Sequence, residues 1–387
     1  MKNYFSSDFK LGILGGGQLG KMLLYETRKF DIQTAVLDPS AEAPCKIATE
    51  KFEQGELMDY DTILKFGRQA DVVTFEIEGV NVDALDKLEE EGIKTYPTAE
   101  TLRIIQDKGR QKKFYKLKNI PTAPYTIYKD LETLRKAVAA NQTEVPFVWK
   151  STTGGYDGKG VKIVRKNEDL DTLPDVECIA ENLIPFKNEL AVIVVRNPSG
   201  EVKTYPVVEM EFHPEANQVE YVICPARIDP EVAQKARDVA QQVSEGFEHV
   251  GLLAVELFQT EDDRILVNEV APRPHNSGHY SIEGSVTNQF ENHLRAILDL
   301  PLGDTESKTG AVMVNLVGAE GHTGPVVYEN IEKILALKGV TPHIYGKKET
   351  RPFRKMGHVT IVNAELDEAR QIAEEVKRLI RVVSQTS

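Results

Sequence analysis

The run from Leu252 to Tyr280 (LLAVELFQ, TEDD, RILVNEVAPRPHNSGHY) constrains the fold more than any other part of the chain. Two apolar segments flank four polar residues, the pattern of a β-hairpin. With the turn centred between Asp262 and Asp263, antiparallel pairing sets Phe258 opposite Val267 and Glu256 opposite Glu269. Directly opposed side chains stand roughly 5 Å apart at Cβ, where like charges destabilise the pair. Two acids in that relation predict either a solvated face or a shared divalent cation. Phe258 and Val267 fall on the same face, which argues against the first. Mg²⁺ suits the second, because it is held by one or two carboxylates together with nucleotide phosphates. Strict alternation turns Asn268 to the opposite face, so a place for it beside the metal requires a bulge. Pro272 and Pro274 then bar ladder pairing and bracket Arg273, ahead of His275, Asn276, Ser277 and His279. Such a polar set behind a candidate metal site predicts the floor of an active site.

At 387 residues the chain exceeds one ordinary core, and two or three domains are expected. A net charge of −13 argues against a general nucleic-acid surface, which needs a basic stripe. Cys45, Cys178 and Cys224 are far apart and form no CxxC pair, so a reducing compartment is the simplest reading. No apolar run is long enough to span a bilayer and the first residues lack a signal-peptide core. A cytoplasmic protein with neither nucleic-acid nor membrane partners is the expectation.

Near the N-terminus, strand Lys10 to Leu14 runs into Gly15-Gly16-Gly17-Gln18-Leu19-Gly20 and a helix from Lys21 to Lys29, and strand Thr34 to Leu37 ends at Asp38. This satisfies the G-x-G-x-x-G spacing with an acid about 20 positions on, which alone reads as an NAD site. The physics is less specific: a glycine turn at a helix N-terminus admits any anion near its amides. A third strand, Val72 to Phe75, places Glu76 and Glu78 at its C-terminal end, where ligands of open α/β sheets bind; Glu76 is the better candidate.

Beyond Tyr96-Pro97 a helix is expected from Glu100 through Leu117, its lysines mostly solvated, with Lys108 within reach of a phosphate. Val145 to Lys150 reads as a buried strand ending in a lysine. Ser151 to Gly160 (STTGGYDGKG) lies between strands, so its amides form a flap able to close over phosphates. It is not a Walker A loop, since no Gly-Lys-Ser/Thr opens a helix. Glu177 to Ile184 is a strand that places Glu181 or Asn182 near a ribose, and Glu189 starts the next. Helices are expected over Pro230 to Phe247 and Asn288 to Leu298, a strand over Ala311 to Val317, and a closing helix from Glu365 to Val382. Lys347, Arg351, Arg354 and Lys355 make a basic cluster in an acidic chain, suited to phosphate if they line a cleft.

The order of these parts resembles an ATP-grasp enzyme. Within that superfamily the strings GGGQLGKM, TGGYDGKG, NEVAPRPHNSGHY and RKMGH are similar to the N5-carboxyaminoimidazole ribonucleotide synthase family, over about Leu11 to Val362. The resemblance implies an α/β architecture: an N-terminal Rossmann-like pre-ATP-grasp domain (1–100), a two-lobed ATP-grasp domain (101–303) with its flap at 151–161, and a small β-rich C-terminal domain (304–387). It implies that Glu256 and Glu269 hold Mg²⁺ against ATP, with Asn268 beside them. Lys108, Lys150, Gly155, Tyr156, Asp157, Gly158, Lys159 and Gly160 would contact the phosphates. Glu181, Asn182, Leu183, Ile184, Glu189 and His213 would surround the adenosine. Gln18, Leu19, Glu76, Asn276, Lys347, Arg354 and Lys355 would hold 5-aminoimidazole ribonucleotide.

The implied reaction phosphorylates bicarbonate to carboxyphosphate, which yields CO₂ for capture by the substrate amine. Arg273 would hold the bicarbonate oxygens, Lys150 and the flap would neutralise the phosphates, and Tyr156 and Asp157 would meet the ribonucleotide as the flap closes. No general base is identified. Related transformylases, acting on glycinamide ribonucleotide with formate, tend to carry Glu where Gln18 stands and Asp where Asn276 stands; both positions favour the aminoimidazole substrate. An NAD-dependent oxidoreductase remains the alternative from another class, and a homodimer is what the family suggests.

Overall fold

The computed structural model of the chain describes residues 3–154, 160–213 and 218–385. Lys10–Leu14 (β1) is apolar after its first residue, as a strand covered on both faces requires. It is followed by Gln18–Lys29 (α1) and by Gln33–Asp38 (β2), Lys51–Gln54 (β3), Tyr60–Gly67 (α2), Val72–Phe75 (β4), Val82–Glu90 (α3) and Lys94–Thr95 (β5). The five strands form one parallel sheet in the order β3-β2-β1-β4-β5. The order reverses at β1, so the turn after β1 and the loop after β4 meet at the crevice where such sheets bind ligands.

The single helix expected from Glu100 to Leu117 is two, Ala99–Ile105 (α4) and Lys108–Leu117 (α5). Asp107 adopts an extended conformation between them and its carboxylate accepts from the Arg110 amide at 2.9 Å. An aspartate offers the backbone this alternative to continuing the helix, and a new N-terminus starts there.

Tyr125–Tyr128 (β6), Leu131–Ala139 (α6), Phe147–Ser151 (β7), Val161–Val164 (β8) and Cys178–Asn182 (β9) build a small lobe with antiparallel strands in the order β6-β9-β7-β8. Phe147 and Trp149 pack against Leu134 and Val138 of α6. The two-residue period of the strand therefore turns Lys150 to the opposite face.

The large sheet begins with Phe186–Arg196 (β10), Val202–Thr204 (β11), Val208–Phe212 (β12) and Val219–Cys224 (β13), and continues after Pro230–Phe247 (α7) with Gly251–Thr260 (β14) and Ile265–Ala271 (β15). Leu190, Val192 and Val194 of β10 and Leu253, Val255 and Leu257 of β14 pack under α7. Full burial of each such side chain contributes about 1.5–3 kcal/mol. Because that face carries the core, Glu189 and Glu256 occupy the other.

After Ser281–Gly284 (α8) and Gln289–Ile297 (α9), the chain continues as Gly310–Val317 (β16), Gly324–Glu329 (β17), Ile331–Leu335 (α10), Val340–Ile344 (β18), Glu349–Thr350 (β19), Lys355–Asn363 (β20), Leu366–Leu379 (α11) and Arg381–Ser384 (β21). β16 pairs with β13, so the large sheet runs on through β16, β20 and β18 across residue 303. The helix expected to reach Val382 stops at Leu379, and Val382 and Val383 instead pair with Tyr328 and Val327 of β17. Adjacent β-branched residues fit a pleated surface better than a helix end. Among the described residues, no helix is long and apolar enough to cross a membrane.

Candidate active site

The hairpin sets Glu256 opposite Glu269 as expected, by a different route. Phe258 pairs with Leu266, not Val267, and Leu257 pairs with Val267. Thr260 closes the turn on Arg264 at 3.0 Å, which centres the loop on Asp262, with Asp263 left-handed at φ 58. The half-residue discrepancy is absorbed between Glu256 and Leu257, where the register shifts and Asn268 becomes the extra residue of a bulge. The bulge also brings Asn268 into the site: its Oδ1 accepts from Lys150 at 3.3 Å.

Burial pushes Glu256 up to about 8, and the charges of Glu269 and Glu189 add to the shift. Burial likewise lifts Glu189 to about 7. Glu269 keeps half of its side chain exposed; what burial it has raises it, yet Lys108, Lys150 and Arg273 hold it below the usual range, with Lys108 Nζ at 2.5 Å. A buried carboxylate that resists ionisation, set opposite a second hard oxygen donor, fits Mg²⁺. The described residues hold no cluster of three or more His, Cys, Asp or Glu placed for a metal.

Lys150 Nζ lies 2.7 Å from Glu181 Oε2, and Lys112 Nζ donates to Glu181 Oε1 and to Thr122 Oγ1 at 2.5 Å. Burial pushes Glu181 up, but the two lysines together hold it below the usual range. The carboxylate expected near a ribose is therefore given to lysines, because it points inward from β9; Asn182 beside it is exposed. Lys112, read with its neighbours as a solvated charge, is buried. Leu183 and Ile184 follow, half-buried. His213 sets its ring edge-on against Phe353, 6.1 Å between centroids. Gly155, Tyr156, Asp157, Gly158 and Lys159 lie outside the described residues, and Gly160 accepts from the Ser151 amide at 2.9 Å.

At the sheet's switch point the glycine turn does not offer its amides to a ligand. Glu76 accepts from Gly17 at 2.8 Å and from Leu19 and Gly20 at 3.0 Å, while Asp38 accepts from Gly16 at 2.7 Å. The chain's own carboxylates fill the anion seat at the start of α1. A bound pyrophosphate would meet both of them, and Asp38 is not turned to a ribose. The open anion site read from the glycine spacing is thus corrected, and with it the basis of the NAD reading.

Arg273 is fixed by Glu78, its Nη2 lying 2.9 and 3.0 Å from the two carboxylate oxygens, and its Nε is buried without a partner among the described residues. His275 Nε2 stands 3.8 Å from Glu256. Burial, reinforced by Arg273 and Lys355, holds that imidazole well below its ordinary value, hence neutral. Asn276 and Asn315 exchange side-chain amide bonds of 2.9 and 3.0 Å, and Asn315 also donates to Val219 O at 2.8 Å.

The C-terminal cluster divides. Lys355 exerts its charge on Glu256 and His275, whereas Arg354 donates to Glu349 O at 2.6 Å in an exposed position. Lys347 donates to Lys355 O at 2.7 Å. The neighbouring backbone reaches the N-terminal unit: Lys21 of α1, one turn from Gln18, donates to Ile344 O at 3.1 Å, and Lys348 pairs with Glu42. Lys112 and Asn315 were not picked out from sequence, and Glu78 was ranked behind Glu76. The only signal for Lys112 was its four-residue spacing from Lys108, which sets both on one helix face.

Family models match residues 9–106 (ribonucleotide synthetase preATP-grasp domain), 113–290 (ATP-grasp domain) and 311–372 (phosphoribosylaminoimidazole carboxylase C-terminal domain). The chain is 39% identical to the N5-carboxyaminoimidazole ribonucleotide synthase of Bacillus subtilis over 362 residues, 92% of either chain. The solved N5-carboxyaminoimidazole ribonucleotide synthetase of Thermotoga maritima superposes with a TM-score of 0.89 at 42% identity, covering 97% of this chain and 100% of that one. The Aspergillus clavatus N5-carboxyaminoimidazole synthase, solved with ADP and 5-aminoimidazole ribonucleotide, gives 0.88 at 34% identity over 96% and 98%. Fungal relatives called phosphoribosylaminoimidazole carboxylase are longer, and the chain spans 65% of the one from Candida albicans.

Proposed function

The chain belongs to the N5-carboxyaminoimidazole ribonucleotide synthase family of ATP-grasp enzymes, and from that premise we propose that it is an ATP-dependent ligase acting on 5-aminoimidazole ribonucleotide and bicarbonate. Its products are N5-carboxyaminoimidazole ribonucleotide, ADP and phosphate. The observation that carries this reading is the Arg273 guanidinium. Glu78 locks it where its charge acts both on Glu76 of the switch-point crevice and on Glu269 of the hairpin.

A bicarbonate oxygen held there attacks the γ-phosphorus of ATP and displaces ADP. The carboxyphosphate then breaks its C–O bond to give phosphate and CO₂, and the substrate's exocyclic amine forms the new C–N bond with loss of a proton. Lys108, Lys150 and the flap residues Gly155 to Gly160 neutralise and enclose the phosphates, since phosphoryl transfer depends on positioning and charge. Glu256 and Glu269 would hold Mg²⁺, which would supply further neutralisation of phosphate charge. Asn182, Leu183, Ile184, Glu189 and His213 border the adenosine, and Gln18, Glu76, Asn276, Lys347, Arg354 and Lys355 border the ribonucleotide. Tyr156 and Asp157 enclose the intermediate from the flap, limiting its hydrolysis.

ADP release measured across ribonucleotides tests the proposal. Release that requires both 5-aminoimidazole ribonucleotide and bicarbonate is expected. Turnover of glycinamide ribonucleotide with formate, or release indifferent to bicarbonate, overturns it. A homodimer in the cytoplasm accords with the family, and sedimentation measures the first point.

A further inference from the structure

Beneath the small lobe one carboxylate is shared by two lysines whose situations differ. Lys112 has three N–H donors. One goes to Glu181 and one to Thr122 Oγ1 at 2.5 Å, and the ammonium also lies 5.9 Å from the centre of the Tyr125 ring. Its side chain is 3% exposed, so it does not reach a ligand. Lys150 meets the other oxygen of Glu181 at 2.7 Å, keeps 12% exposure, and leans to Asn268 at 3.3 Å on the site face of the bulge. Together the three groups carry one net positive charge. Without Lys112, the pair left behind is neutral, and phosphate has to compete with a buried carboxylate for the Lys150 ammonium. Low local dielectric makes that competition severe.

A second link acts on position. Thr122, which Lys112 holds, donates to Val267 O at 2.8 Å, immediately before the bulge residue that Lys150 contacts. One ammonium therefore seats both neighbours of Lys150, the carboxylate from β9 and the bulged strand.

We infer that Lys112 is a positioning residue of the nucleotide site: it neutralises and fixes Glu181, so that the charge of Lys150 is left to the phosphates of ATP. The inference rests on the reading of Lys150 as a phosphate contact.

Lys112→Met keeps the stem and removes the charge, and the affinities for ATP and for adenosine separate its effects. ATP binding is expected to weaken by about tenfold or more, the loss of one charge-assisted contact, while adenosine binding moves less than about twofold on the same reasoning. In a Lys150→Met background the further change Lys112→Met costs ATP affinity less than it does in the wild type, because most of its effect passes through Lys150. Equal losses for ATP and adenosine, no loss for ATP, or a loss undiminished in the Lys150→Met background each overturn the inference. Lys150→Met alone tests the underlying reading, which fails if ATP is not weakened relative to adenosine. Should Lys112→Met not fold, Lys112→Met with Glu181→Gln leaves no unpaired buried charge and Lys150 unengaged. A preference for ATP over adenosine at or above wild type is then expected, and its collapse overturns the inference.

Discussion

Glu256→Gln should stabilise the protein when Mg²⁺ is removed and destroy its activity when Mg²⁺ is supplied. Burial, with Glu269 and Glu189 adding to it, raises Glu256 from 4.5 to about 8. A carboxyl that holds its proton more tightly in the folded chain contributes stability that is complete below its unfolded value and is lost as pH rises to the folded one. At about 1.4 kcal/mol per pH unit, the loss accumulated between 4.5 and neutrality is about 3 kcal/mol. Against the roughly 5–15 kcal/mol that holds a typical domain together, that is a large fraction. Glutamine fills the same space and cannot ionise, so the variant escapes the loss. Calorimetric melting in EDTA at several pH values between 5 and 8 is the assay. The melting temperatures should nearly coincide at the acid end and diverge steadily towards pH 8, the variant above the wild type. Adding Mg²⁺ with ATP should close the gap by stabilising the wild type, while turnover of the variant falls by orders of magnitude. A gap that does not grow with pH, or a wild type that melts higher at pH 8 in EDTA, would show that burial beside Glu269 does not hold the Glu256 proton. The physical reason for placing a cation between them would then be gone.

Asn276→Asp sets a carboxylate oxygen against Asn315 Oδ1, where an amide now donates at 2.9 Å and Val219 O pins the partner. The Michaelis constant for 5-aminoimidazole ribonucleotide should rise about tenfold, the scale of one lost polar contact, and an unchanged constant would remove Asn276 from the site. Arg354→Ala should raise the same constant by about ten- to a hundredfold and leave that for ATP nearly alone; weakened ATP would instead assign the basic cluster to the nucleotide. Gly17→Ala builds a Cβ 2.6 Å from Glu76 Oε1 and should drive that carboxylate off the amides it caps. Calorimetry should register about 1–3 kcal/mol of lost stability for the unsatisfied amides, and an unshifted melting temperature would mean the cap contributes nothing.

The hairpin was legible because opposed acids on an apolar two-residue period are a local pattern. Its bulge was not, since alternation cannot tell a turn centred on Asp262 from one centred half a residue later. The glutamate pairing came out right only because the register shift falls between the turn and the acids. Asp107 was missed for a related reason: one cap residue inside a helical pattern decides the boundary through a single hydrogen bond. Lys112 was illegible in a stronger sense. Nothing within α5 marks which of its lysines lies over Glu181, and that depends on β9 folding beneath it.

The glycine turn teaches the most about function. Its spacing is that of a dinucleotide site, yet the strand order sets Glu76 at the end of β4 directly against it, and three amides close on that carboxylate. A carboxylate already in the anion seat repels a second anion, so a substrate phosphate in this crevice must be neutralised by side chains from elsewhere. On the proposed function that need would be met from the chain's other end, where the segment bearing Lys347 is docked on α1 through Lys21 and through the Lys348–Glu42 pair. Burial of the Glu76 carboxylate outweighs the amides and raises its affinity for a proton, so nearby cations are what favour its ionised form. Arg273 is one, since its charge lowers Glu76. The same guanidinium also acts on Glu269. A single arginine, just past the end of β15 and paired with Glu78 just past the end of β4, thus ties the loop at the crevice to the end of the hairpin.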